Sequence, residues 1–367
     1  MEVWIKRLFW KESERRSNLL KRGRMRKIMK KWYVLTGMLV VFCCLAACGR
    51  AAEDKEAGSR TEENRMEEGR EAESRAAEEE MTQGEDGGVY TFTDDLGREV
   101  SVRSCERAAA LLGSYADMWI LAGGNVCAAP EDAFDDLDLP LAEDTINLGA
   151  TKRLSLELLL SGDPDFVLAS TNTPQHLEWQ EAMEGAGITV AYFDVSCFED
   201  YLRMLKICTD ITGRQECYEE YGTNIQKQID KILERNADRP EQTVLMMRAS
   251  AASIRAKKNE GNVLGEMLES FGCLNIADMD ESLLENLSLE SIMLRNPDKI
   301  LIVQSGDDTE GTKENIENMF RENPLWNELE AVKNGQVYFL DKHLYNLKPN
   351  ARWAEAYEKL EEILYEK

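Results

Sequence analysis

Leu154-Ser155-Leu156-Glu157 leads to Pro164-Asp165 and the apolar run Phe166-Val167-Leu168, and Leu287-Ser288-Leu289-Glu290 leads in the same way to Pro297-Asp298 and Ile300-Leu301-Ile302. Both parts of the module recur at one offset, 133 residues. In each copy a serine precedes a glutamate at the start of a helix. There the hydroxyl can accept from free N–H groups, and the carboxylate suits the positive end of the helix dipole. Capping alone accounts for Ser and Glu in one copy. Recurrence of the whole helix–turn–strand module predicts two halves of like architecture.

Outward from these modules, short β-branched or apolar runs alternate with amphipathic stretches, the pattern of parallel sheets covered by helices. Thr91–Thr93, the turn Asp94-Asp95-Leu96-Gly97 and Glu99–Val102 read as a hairpin. Strands are expected at 108–112, 165–169, 189–193, 243–247, 299–303 and 336–340, with a closing amphipathic helix over 351–365. A long helical region from Phe198 to Arg235, interrupted near Thr212-Gly213, joins the halves. The expected layout is an α/β lobe over 89–197, a connecting helical region over 198–240, and a second α/β lobe over 241–367.

The charge is unevenly spread. The formal net charge of the 367-residue chain is −25, made up of +9 over 1–48, −8 over 49–88 and −26 over 89–367. So acidic a surface repels phosphates, which argues against nucleic acid as a partner. Lys21–Lys31 is basic and precedes an uncharged run, Trp32–Ala47. That run is shorter than the ~20 residues a bilayer span needs and fits the apolar region of a signal peptide. It ends in Leu45-Ala46-Ala47-Cys48-Gly49, which resembles a bacterial lipobox, with Cys48 the residue that receives the lipid. Segment 1–48 therefore reads as a lipoprotein signal peptide. Segment 49–88, rich in Glu and Arg and free of aromatic residues, reads as a disordered acidic tether. Together they predict a domain anchored on the extracytoplasmic face of a membrane. Six cysteines remain in 89–367, none in CxxC spacing, and read as buried free thiols.

The run Thr91-Phe92-Thr93-Asp94-Asp95-Leu96-Gly97-Arg98-Glu99-Val100 resembles the opening of the substrate-binding lipoproteins of ABC importers for iron complexes and cobalamin. The paired modules resemble equivalent helices in both lobes of that family. Asn323-Pro324-Leu325-Trp326 and Ala331-Val332-Lys333-Asn334-Gly335-Gln336-Val337-Tyr338 resemble its closing segment. The resemblance implies two Rossmann-like lobes joined by a single long rigid helix, the class III periplasmic-binding-protein arrangement, with a small-molecule ligand in the cleft between lobes. It implies a monomer without a cofactor of its own. It also implies that Glu157 and Glu290 each meet an arginine pocket on the permease dimer.

In open α/β sheets ligands sit beyond the carboxyl ends of the strands. That rule nominates Tyr115, Thr171, Asn172, Arg248 and Ser305. The loop before the first module adds Lys152 and Arg153; the loop after the last strand adds Tyr345, Lys348, Arg352 and Trp353. Basic side chains at cleft loops of so acidic a chain suit an anionic ligand, a ferric siderophore first, while Tyr115, Tyr345 and Trp353 offer rings to a flat or macrocyclic one. Haem and cobalamin are the alternatives, with Tyr115, Tyr345 or His343 as axial ligands for the former. With only His176 and His343 in the chain, a histidine-rich metal site is disfavoured, and His176, in a polar stretch, reads as a surface residue. No GxSxG, SxxK, HExxH or phosphate-loop motif occurs in 89–367, so a lipid-anchored hydrolase is the weaker reading. A surface scaffold lipoprotein is the third, and no catalytic residue is expected.

Overall fold

The computed structural model describes residues 89–103, 105–306 and 308–365. The signal segment 1–48, Cys48 and the tether 49–88 lie outside the described residues. The described residues fall within one compact unit.

Two parallel sheets carry the fold. The first has β3 (Ala108–Ala110), β4 (Val126–Ala129), β5 (Ile146–Asn147), β6 (Phe166–Ser170) and β7 (Thr189–Phe193) in the order β5-β4-β3-β6-β7. The second has β8 (Thr243–Ala249), β10 (Leu274–Asn275), β11 (Lys299–Gln304) and β12 (Val337–Leu340) in the order β10-β8-β11-β12, with β9 (Ile254–Ala256) antiparallel to β8. The strand order reverses between β3 and β6 in one sheet and between β8 and β11 in the other. These are the points where a crevice opens beyond the strand ends. β6 and β11, the strands of the duplicated module, are buried along their whole length, as unbroken apolar runs in parallel sheets require.

Both module helices form as the capping pattern predicts. Ser155 Oγ accepts from Leu158 N at 3.2 Å and opens the helix Leu156–Ser161. Ser288 Oγ accepts from Ser291 N at 3.4 Å and opens Leu289–Arg295. The connecting region runs as Phe198–Thr212, then Gln215–Tyr218, a π turn Glu219–Thr223 and Asn224–Glu234. The break falls at Gly213, whose φ of +71° is left-handed and favours glycine. The last helix, Trp353–Tyr365, packs against Asn224–Glu234, and Arg235 pairs with Glu361 between them.

The hairpin β1 (Tyr90–Thr93)–β2 (Glu99–Val102) docks on β7 through its acidic turn. Asp94, almost fully buried, accepts from the amides of Leu96 and Arg98 at 3.0 Å and of Tyr192 at 3.2 Å, while its carboxylate holds Arg98. Asp95 Oδ2 accepts from Asp194 N at 2.6 Å. The Asp-Asp-Leu-Gly-Arg run is thus a clamp that fixes the backbone just beyond β7.

Candidate ligand site at the strand ends

Beyond β6 and β7, Thr171 and Asn172 face Asp194, and Asn172 Nδ2 donates to Asp194 Oδ1 at 2.7 Å. The Thr171 hydroxyl is buried without a hydrogen-bond partner. Arg248 is the penultimate residue of β8, and Ser305 stands just beyond β11, donating its amide to Ala249 O at 2.7 Å. The antiparallel β8–β9 register sets Arg248 opposite Arg255. It also brings Lys257 alongside, its amide donating to Met246 O at 3.0 Å. Lys348 enters from the C-terminal segment and feels both Asp194 of the first lobe and Arg248 of the second.

These cations are poorly compensated. Arg248 Nη2 donates to the neutral amide oxygen of Asn262 at 2.9 Å, and Asn262 is itself oriented by the carbonyls of Lys258 and Glu260. Among the described residues, no carboxylate lies within ion-pair distance of Arg248, Lys257 or Lys348. Burial lowers the pKa of Arg248. Burial, then Arg248 and Arg255, lower that of Lys257. Burial also lowers Lys348, with Asp194 opposing and Arg248 assisting. Charges left without partners in a low-dielectric setting cost stability. Such a group is well suited to receive an anion.

The three aromatic nominees are corrected. Tyr115 is fully buried, its hydroxyl donating to Phe193 O at 2.9 Å and its ring edge-on to Phe193. Tyr345 is 3% exposed and donates to Ala356 O at 2.9 Å. Trp353 is fully buried against Phe198 and Tyr201, at ring separations of 5.7 and 6.3 Å. Apolar burial outweighs ring exposure at all three: Tyr115 and Trp353 are core, and Tyr345 is a buried wall of the small cavity beside Arg248 rather than an open ring platform. His176 is also corrected: it is fully buried, Nδ1 accepts from Ser170 N at 3.1 Å, and its carbonyl accepts from Tyr192 OH at 2.8 Å. Burial drives its pKa down to about 4, leaving it neutral.

Lys152 and Arg153 lie exposed in the turn after β5, the edge strand, two strands away from the crevice between β3 and β6. Arg352 is exposed at the mouth of the C-terminal loop and grips Glu355 at 2.7 and 3.2 Å. Although burial opposes it, Arg352 and Lys359 pull the Glu355 carboxylate down to about 2. His343 pairs with Asp136 at 3.4 Å, beside the Lys342–Asp136 bridge at 2.8 Å. Among the described residues, the space beside Arg248 is small. The cavity bounded by Arg248, Lys257, Asn262, Val303 and Tyr345 holds about 10 Å³, one water's worth. Pockets for small organic ligands run to roughly 300–1,000 Å³, so capture requires these loops to part. Glu157 and Glu290 stand exposed in the first turns of their capped helices.

Lys257 belongs to a basic cluster legible in the sequence, Arg255, Lys257 and Lys258, whereas Asn262 and Asp194 join the site although nothing in the sequence singled them out. The Arg255-Ala256-Lys257 alternation after β8 was the available signal, since only an antiparallel return brings it back to Arg248.

No helix of the described residues is long and apolar enough to cross a membrane. Residues 109–344 match the family model described as periplasmic binding protein, a family of binding proteins rather than enzymes. The iron-uptake system-binding protein of Bacillus subtilis (strain 168) is 22% identical over 207 residues, 56% of this chain and 64% of that protein. An ABC transporter substrate-binding protein from Listeria monocytogenes EGD-e superposes with a TM-score of 0.60 at 22% identity, over 72% of this chain and 100% of that one. IsdE of Staphylococcus aureus in complex with heme gives 0.60 at 18% identity, over 72% and 100%. These likenesses carry the class III bilobal fold.

Proposed function

The chain belongs to the periplasmic binding protein family, and from that premise we propose that it is the solute-binding subunit of an ABC importer and captures an anionic iron complex, a ferric siderophore. Cys48 carries the lipid, 49–88 is the tether, and the lobes over 89–197 and 241–367 close on the ligand about the connecting region 198–240. Thr171, Asn172, Arg248, Ser305 and Lys348, with Lys257 and Asn262, hold the guest, and Arg352 guides it at the mouth of the C-terminal loop; Lys152 and Arg153, at the sheet edge, take no part. Glu157 and Glu290 dock the loaded protein on the permease dimer, and ATP hydrolysis by the transporter drives release.

The observation that carries this reading is the trio Arg248, Lys257 and Lys348, in which Arg248 acts on both lysines and Asp194 acts on Lys348 alone, in a chain of net charge −25. Each charged hydrogen bond from these groups to a chelate oxygen contributes about 1.5–3 kcal/mol. The iron-uptake relative supports an iron cargo. A haem would need an axial side chain, yet the Tyr115 and Tyr345 hydroxyls are bonded to carbonyls and His343 to Asp136, which favours a preassembled chelate.

Native mass spectrometry of the fragment 89–367 with ferric siderophores, haemin and cobalamin tests the reading. The expected result is a one-to-one adduct with a ferric siderophore. An adduct with haemin or cobalamin alone transfers the site to that ligand. No adduct at all favours the scaffold, and turnover of a substrate favours the hydrolase.

A further inference from the structure

Seven large apolar side chains are exposed among the described residues, and five of them lie on or against the two duplicated helices. Leu158 and Leu160 are on Leu156–Ser161, and Leu294 is on Leu289–Arg295. Met279 sits beside Arg295, which donates to its carbonyl at 3.1 Å, and Leu325 is on the turn Pro324–Glu328 that packs against the second helix. Single exposed leucines are ordinary; their concentration at both copies of one repeat is not. Spacing adds direction. Leu160 is three residues after Glu157 and Leu294 four after Glu290, so each leucine shares a helix face with its glutamate. Leu159 and Ile292, both fully buried, fasten the two helices to the core. Leu294 is 88% exposed.

We propose that each glutamate has an apolar anchor on its own helix face, Leu160 beside Glu157 and Leu294 beside Glu290, and that the two pairs seat in two equivalent sockets of the permease dimer. The proposal rests on the docking reading above and deepens it. Among the described residues neither glutamate has a cation within ion-pair distance, so the complementary charge comes from the partner. A leucine buried next to a carboxylate–arginine pair excludes water from it and strengthens it, as rim residues do around interface hot spots. A feature present twice suits a partner with two like halves. A second copy of this chain suits it poorly, since the folded part carries −26 and repels itself.

The test uses the full chain in its own cells, with a benzophenone side chain at position 279 and irradiation. The expected product is an adduct with a polytopic ABC permease subunit, identified by mass spectrometry. In the Leu160→Ser/Leu294→Ser background its yield falls about tenfold, and it falls likewise in Glu157→Ala/Glu290→Ala. The thermal midpoint matches the parent's, because the leucines are exposed. A loss in the glutamate variant with none in the leucine variant overturns the anchors and leaves docking standing. No permease adduct in the parent, or one insensitive to both double variants, overturns docking itself. An adduct with another copy of this chain assigns the face to self-association.

Discussion

The side-chain amide of Asn350 donates to the Asp117 carboxylate at 2.8 Å, across 233 positions of sequence. The same nitrogen donates to Ser114 O at 2.7 Å. Asn350 is fully buried at a φ of +51°, a left-handed conformation that asparagine tolerates better than most residues. This contact pins the loop that carries Lys348 to the helix Gly113–Leu121 of the first lobe.

Asn350→Ala therefore strands a buried carboxylate whose pKa burial already raises, and is expected to cost about 2–3 kcal/mol. Asn350→Asp sets two carboxylates together and should be worse at neutral pH, recovering toward the alanine variant as pH falls and one of them protonates. Urea midpoints at acid and neutral pH check both; an unchanged midpoint for the alanine variant would remove the pin.

Arg248→Met and Lys348→Met should each weaken ferric siderophore binding by about tenfold or more, the worth of one charged hydrogen bond. Neither should lower the thermal midpoint, because the charge removed is one that burial already disfavours. Fluorescence titration against calorimetry separates the effects. A fall in midpoint with affinity intact would return both residues to a structural role.

His176 ties stability to pH. Its pKa in the folded chain is about 4, below the usual 6.5, so the unfolded chain binds the proton more tightly. Its neutral form is in place above pH 6.5, and stability is lost as pH falls from there through 4, toward a loss of about 3 kcal/mol. His176→Gln keeps an acceptor for the Ser170 amide and should flatten that part of the profile. Equal slopes for variant and parent between those limits would assign the acid loss to carboxylates.

Neighbouring positions at the start of the last helix, Arg352 just before it and Trp353 its first residue, should part company. Trp353→Ala empties a fully buried site against Phe198 and Tyr201 and should cost about 3–5 kcal/mol. Arg352→Ala, at an exposed pair, should change stability by about 0.5 kcal/mol or less and weaken an anionic ligand. A stable Trp353→Ala protein that has lost its ligand would reopen the case for a ring in the site.

What could be read in the sequence was local. Ser155 and Ser288 announce helix starts because capping needs only three or four neighbouring residues, and β6 and β11 announce buried strands through the unbroken apolar runs Phe166–Ala169 and Ile300–Val303. Arg248 and Ser305 follow from where the apolar runs of β8 and β11 end. Tyr115, Tyr345 and Trp353 misled because an aromatic near a loop has the same pattern whether it faces a crevice or the core. His176 misled because its neighbours Pro174, Gln175 and Glu178 are polar while its own side chain turns under the sheet. The basic cluster Arg255, Lys257 and Lys258 is visible in the sequence, but its place beside Arg248 depends on an antiparallel return, and that of Asp194 on a distant hairpin, relations that no window along the chain contains.

One apolar body contains Phe166 of the first sheet, Met204 of the connecting helix, Val244 and Leu301 of the second sheet, and Trp353 of the last helix. Swinging the halves widely apart would wet that body at about 25 cal/mol for each Å² uncovered. Closure of the lobes on a guest, as proposed above, is therefore a movement of small amplitude that keeps this shared body dry. The residence time of a guest is set by how far the two halves can yield without wetting it.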